Sequence, residues 1–133
     1  FDRVKLLVLP VSDLSSHQFF GLLNANEPHL LVDTRDYPEF FSIFPSTEQA
    51  FEEFDRRGIL YRRVPLHPSH EGGSFWKSLD LMKEIFLEYA ERKSMAPILF
   101  LSSTRRKADR MSESLIGYIS QELGDLKLER IEP

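Results

Sequence analysis

Five short apolar runs, each separated from the next by a stretch with helical periodicity, restrict the fold of this chain more than any other feature. The runs are Val4-Lys5-Leu6-Leu7-Val8-Leu9, His29-Leu30-Leu31-Val32-Asp33, the stretch from Ile59 to Leu66, Pro97 to Leu101, and Leu126 to Ile131. The first, second and fourth are almost continuously apolar, the pattern of strands buried on both faces of a parallel sheet. The third carries Arg62 and Arg63, so it is less deeply buried or lies near an edge. The fifth alternates at its start, as a half-exposed edge strand does.

The intervening stretches carry helix signals. Ser15 and Gln18 make a capping box, with Leu14 and Phe19 placed as its hydrophobic staple, and Ser46 with Gln49 repeats the pattern. Ala50, Phe51 and Phe54 share one helical face, and Gly58 stands where a left-handed C′ residue belongs. Ser74 is placed to cap the longest helix, whose apolar stripe is Phe75, Leu79, Met82, Phe86 and Tyr89. Ala108, Met111, Leu115 and Ile119 mark the last helical face. Phe40, Phe41, Ile43 and Phe44 form a loop too apolar to be solvated; they fold over an edge of the core or cover a site. Five strands therefore alternate with four helices, which predicts the α/β class: a single-domain, three-layer α/β/α arrangement around a mainly parallel five-stranded sheet with right-handed crossovers.

Length and composition narrow the function classes. The chain has 133 residues, one domain's worth, with no internal repeat or linker, and the single domain is expected to run over 1–133. It begins at Phe1, which fits a piece excised from a longer chain. With 41% hydrophobic and 29% charged residues, no disorder is invoked. The net charge of −4 speaks against nucleic acid as a partner. The absence of cysteine excludes disulfides, thiolate metal sites and a cysteine nucleophile. No apolar run is long enough to span a bilayer and no signal peptide is evident, so the expected setting is cytoplasmic, without a membrane. Nothing calls for a cofactor.

In open parallel sheets, ligands bind beyond the carboxyl ends of the strands, near the point where strand order reverses. Those ends are Pro10 to Ser12, Asp33 to Arg35, Leu66 to His70, and Ser102 to Arg106. The last is the most distinctive. An apolar strand stops abruptly in Ser102, Ser103 and Thr104, followed by Arg105, Arg106, Lys107 and, one turn on, Arg110. Strand, hydroxyl turn and helix start make an anion cradle, because a helix N-terminus offers unpaired N–H groups and partial positive charge. The arginines are either solvated helix-start residues or the cationic wall of that cradle; cations here oppose the helix dipole, which favours a nearby acceptor. Asp33 and Arg35 either pair with each other or a neighbouring helix end, or join the site. His67 and His70 beside Glu71 are candidate metal ligands, but no third ligand is indicated by spacing. A hydroxyl nucleophile at Ser102, Ser103 or Thr104 would need a base that the sequence does not position.

Two families resemble this pattern. Leu31-Val32-Asp33-Thr34-Arg35-Asp36, following Leu14-Ser15-Ser16-His17-Gln18-Phe19, looks like the opening of a rhodanese-like domain, which places an Asp-x-Arg after its second strand and a catalytic loop after a later one. That family's Gly-His-Ile-Pro-Gly-Ala segment is missing, and the loop from Ser102 to Lys107 has no cysteine. The chain more closely resembles the domain of unknown function 488 family. The shared features are Leu31-Val32-Asp33-Thr34-Arg35-Asp36-Tyr37-Pro38, Gly58-Ile59-Leu60-Tyr61, Pro65 and Gly72-Gly73. Where that family has Cys-x-Glu, this chain has Leu101 and Ser103; where it has Cys-His-Arg, this chain has Ala108-Asp109-Arg110, keeping only the arginine. The resemblance implies a Rossmann-like or rhodanese-like fold and a site built from Asp33, Arg35 and Arg110.

Two functions follow as expectations. One is a non-catalytic, cysteine-less domain binding a small anionic ligand or a protein partner at the carboxyl rim, a second copy of the chain included. The other is an enzyme acting on a phosphate- or nucleotide-like group, with Asp33 as base or metal ligand and Arg35, Arg105, Arg106 and Arg110 holding the anion. An exposed Phe40–Phe44 loop would favour a protein partner.

Overall fold

The Ser15–Gln18 box closes in both directions: Ser15 Oγ accepts from the Gln18 amide at 3.1 Å, and Gln18 Oε1 accepts from the Ser15 amide at 2.9 Å. It starts α1 (Ser16–Asn26), which follows β1 (Asp2–Pro10) and a single 3₁₀ turn (Val11–Asp13). The computed structural model describes residues 2–35, 40, 43–65, 73–91, 96–122 and 126–131. After α1 come β2 (Leu30–Asp33), α2 (Thr47–Arg56), β3 (Leu60–Arg63), α3 (Gly73–Glu91), β4 (Ile98–Ser102), α4 (Arg105–Glu122) and β5 (Leu126–Ile131). Ser46 Oγ caps α2 through the Gln49 amide at 3.2 Å. Gly58 adopts φ 72° just past α2, a left-handed conformation that glycine takes without a Cβ penalty. Ser74, expected as the cap of α3, instead lies inside that helix, which begins at Gly73.

All five strands are parallel, in the order β3-β2-β4-β1-β5. The arginine-bearing β3 and the alternating β5 are the two edges, and the all-apolar β2, β4 and β1 are inside. This is the arrangement burial requires, since a central parallel strand is covered on both faces. Period-two alternation divides the side chains between two cores. Val4, Leu6 and Val8 of β1, Val32 of β2, and Ile98 and Phe100 of β4 pack under α3 and α4 through Leu79, Met82, Phe86, Tyr89, Ala108, Met111, Leu115 and Ile119. Leu7, Leu9, Leu31, Leu99 and Leu101 pack on the other face under Phe19 and Leu23 of α1 and Ala50 and Phe54 of α2.

Phe40, Ile43 and Phe44 belong to this second core. Phe40 is fully buried, and its ring lies 6.1 Å from Phe44, 5.7 Å from Phe54 and 6.3 Å from Tyr61. These three residues thus pack beneath α1 and α2, as expected of a loop too apolar to be solvated, and the exposure that would have favoured a protein partner is not seen for them. Phe51, assigned to the inner face of α2, is 39% exposed and packs by its ring against Tyr61 on the edge strand. Phe41, His67, His70 and Glu71 lie outside the described residues, as does the side chain of Phe75.

The layer assignment locates the switch point. Connections leaving β1 and β2 run through α1 and α2 on one face, while the connection leaving β4 runs through α4 on the other. Strand β4 therefore stands between two neighbours whose chains depart to the opposite side, and the topological reversal flanks its carboxyl end on both edges.

Candidate functional site

The turn that ends β4 is held by backbone bonds to the strands beside it. The Leu101 carbonyl accepts from the Thr34 amide at 3.0 Å and from Thr34 Oγ1 at 2.7 Å, which ties it to β2. The Ser103 carbonyl accepts from the Ser12 amide at 2.9 Å, which ties it to the turn after β1. Ser102 is buried as the last residue of β4. Thr104 is the helix cap: its Oγ1 accepts from the Lys107 amide at 3.3 Å and its carbonyl from the Ala108 amide at 2.8 Å. One strand end thus leads into a fixed helix start, as hydroxyl residues before a helix dictate.

The first turn of α4 turns Ala108 and Met111 into the core and leaves Arg105, Arg106, Lys107 and Arg110 exposed. Among the described residues, none of these four cations forms an ion pair or a side-chain hydrogen bond. Asp109, the acid in their midst, is bound to Arg130 of β5 at 2.8 Å. Arg106 and Arg110 are one helical turn apart, so two like charges share a face.

At the end of β2 the charges behave differently. Asp33 is fully buried and Arg35 is 8% exposed. Asp33 Oδ1 accepts from Arg35 Nε at 2.9 Å and from the Arg35 amide at 3.1 Å; Oδ2 accepts from Arg35 Nη2 at 2.9 Å and from the Tyr61 hydroxyl at 2.5 Å. A carboxylate has about four lone-pair sites, and all are taken. The guanidinium of Arg35 also lies over the Phe40 ring at 4.5 Å, and Arg63 donates to the Arg35 carbonyl at 2.9 Å. Burial, and then the hydrogen bond to the Asp33 carboxylate, push the Tyr61 phenol well above the ordinary tyrosine range.

Of the two readings open for Asp33 and Arg35, the structure shows the mutual pair. The Asp33 carboxylate forms no hydrogen bond or ion pair with Arg105, Arg106 or Arg110. The sequence-predicted residues thus divide into a buried, internally neutralised group after β2 and an exposed cationic turn after β4, joined through Thr34 and Leu101. Sequence reasoning missed Tyr61 and Thr34. Tyr61 had a partial signal, its two-residue spacing from Arg63, which puts both on one face of β3; that this face lies beside Asp33 is set by the register with β2. Among the described residues no group of three His, Asp or Glu side chains is placed to hold a metal, and no helix is long and apolar enough to cross a membrane. No protein-family model, curated protein or solved structure matches this chain, so the chemistry of the rim rests on its own geometry.

Proposed function

We propose that this chain is a non-catalytic α/β domain that binds a small phosphate-bearing anion at the turn between β4 and α4. One observation carries the reading: Arg105, Arg106 and Lys107 fill the first turn of α4, Arg110 follows on the face of Arg106, and none of the four has a partner among the described residues. Cations in the first turn oppose the helix dipole, and like charges one turn apart repel. An anion seated on the Arg105 and Arg106 amides reverses both penalties at once. Ser103 and Thr104 offer hydroxyls beside it. The turn occurs at the switch point, where parallel sheets of this class take ligands.

The saturated state of Asp33 favours binding over catalysis. A carboxylate that accepts four hydrogen bonds in a buried pair has no free lone pair for a substrate proton or a metal. A cysteine-less domain of 488-like or rhodanese-like pattern accords with this reading, since without a thiol the turn keeps an anion cradle but no cysteine nucleophile.

Thermal unfolding at low ionic strength, with inorganic phosphate, sulfate and nucleoside monophosphates, tests the proposal. Expected are a saturable rise in Tm, movement of the Arg105 and Arg106 amide resonances, and loss of both in the Arg105→Glu/Arg106→Glu variant. Absence of stabilisation by every anion, or equal stabilisation of wild type and variant, overturns it, as does saturable turnover of a phosphoester by the wild type.

A further inference from the structure

The amino-terminal rim of the sheet, far from the β4–α4 turn, carries a pocket of about 280 Å³ between the edge strand β3 and the end of α3. Leu30, Leu60, Ile85 and Tyr89 give it an apolar lining, and its polar residues are His29, Arg62 and Glu88. The register explains why Arg62 is there. It pairs with Val32, whose side chain points into the core beneath α3 and α4, so Arg62 and Leu60 face α3 as well.

Arg62 is half-buried and, among the described residues, its guanidinium has no hydrogen bond or ion pair. The other polar groups of the pocket are differently placed. Tyr89 donates its hydroxyl to the Ala96 carbonyl, and Glu88 is already partnered. An arginine withdrawn part-way from water against leucine and isoleucine loses hydration without gaining an acceptor. Its planar fork matches a carboxylate bidentately. The pocket is at the small end of ligand-site volumes, and its walls suit a short hydrocarbon body.

We infer that this pocket is a binding site for a small apolar carboxylate, with Arg62 holding the carboxylate and Leu30, Leu60, Ile85 and the Tyr89 ring holding the hydrocarbon. The site is separate from the anion turn and independent of the function proposed for it. Leu60 is 51% exposed at the mouth, so the hydrocarbon enters across the free edge of β3.

The test is an amide-resonance titration with hexanoate, octanoate and phenylpropionate, each beside its uncharged primary amide. Acids are expected to shift Leu30, Leu60 and Ile85 saturably and to bind about tenfold tighter than the amides, the difference being one charge-assisted contact. Arg62→Gln removes that difference while leaving the fold intact. Ile85→Trp, checked for native circular dichroism, fills the cavity and abolishes binding of acids and amides together. Arg105→Glu/Arg106→Glu leaves carboxylate binding unchanged, which separates failure here from failure at the anion turn. Equal affinity for acid and amide overturns the inference. So do binding retained in Arg62→Gln, shifts confined to the β4–α4 turn, no saturation with any acid, or an acidic peptide pairing along β3 where small acids do not bind.

Discussion

The ends of β2 and β4 are neighbours in the sheet and both present arginine, yet they treat charge in opposite ways. After β2, Arg35 folds back onto Asp33 and is sealed under Phe40 with its countercharge. After β4, Arg105, Arg106 and Arg110 stay in water with no ion-pair partner among the described residues. The difference lies in burial. A guanidinium beneath an aromatic core cannot remain unpaired, because the uncompensated charge would cost several kcal/mol. At an exposed helix start the same imbalance costs a fraction of that and is screened by salt. The first arrangement stabilises the fold; the second leaves room for something from outside.

The comparison breaks most easily at Asp33. Asp33→Asn keeps the shape but removes the charge opposite buried Arg35, and the expected loss is about 3–5 kcal/mol in urea unfolding. Phosphate stabilisation per bound ion should survive wherever the variant is folded. A loss below 1 kcal/mol would mean that Arg35 finds other support, and the contrast between the two strand ends would fall.

Tyr61→Phe is the next largest perturbation. It deletes one hydrogen bond to a buried carboxylate, an expected cost of about 1.5–3 kcal/mol at neutral pH. The phenol's pKa is higher in the folded protein than in the unfolded chain. Its contribution is therefore complete below the unfolded value near about 10 and is lost as the pH rises toward the folded one. Wild-type stability should decline with pH in that alkaline window, and the part of the slope due to this residue should vanish in Tyr61→Phe. Equal slopes in the two proteins would detach Tyr61 from the network.

Much of this architecture is written locally in the chain. The capping serines, Gly58 and the apolar runs act over a few residues, so Ser15, Ser46 and the edge position of β3 are readable without tertiary information. The strand order is not, because nothing near β5 in sequence says that it pairs with β1 rather than β4. For the same reason the charged rim reads as one cluster when it is two. Asp33 and Arg35 are two residues apart, but their closure depends on Tyr61 and Phe40, which come from other elements. The pocket at Arg62 needs the register with β2 and the end of α3, and so is invisible to motif reading.

The smallest expected effect is also the one that bears most directly on what the β4–α4 turn does. Replacing Arg105 and Arg106 by glutamate puts acids where the helix dipole favours them and removes one side of the Arg106–Arg110 repulsion. Each change is expected to stabilise the free protein by about 0.3–1 kcal/mol at low ionic strength. The gain should shrink in high salt, where the Debye length falls to about 3 Å. In saturating phosphate the order should reverse, because only the wild type gains from an anion on its amides. A crossing of the two stability curves with phosphate concentration is what a binding turn produces. Arginines that merely decorate a solvated helix give parallel curves. Arginines that support the fold through a contact of their own give a variant less stable at every phosphate concentration, and either of those results would assign the turn to the scaffold together with Asp33 and Arg35.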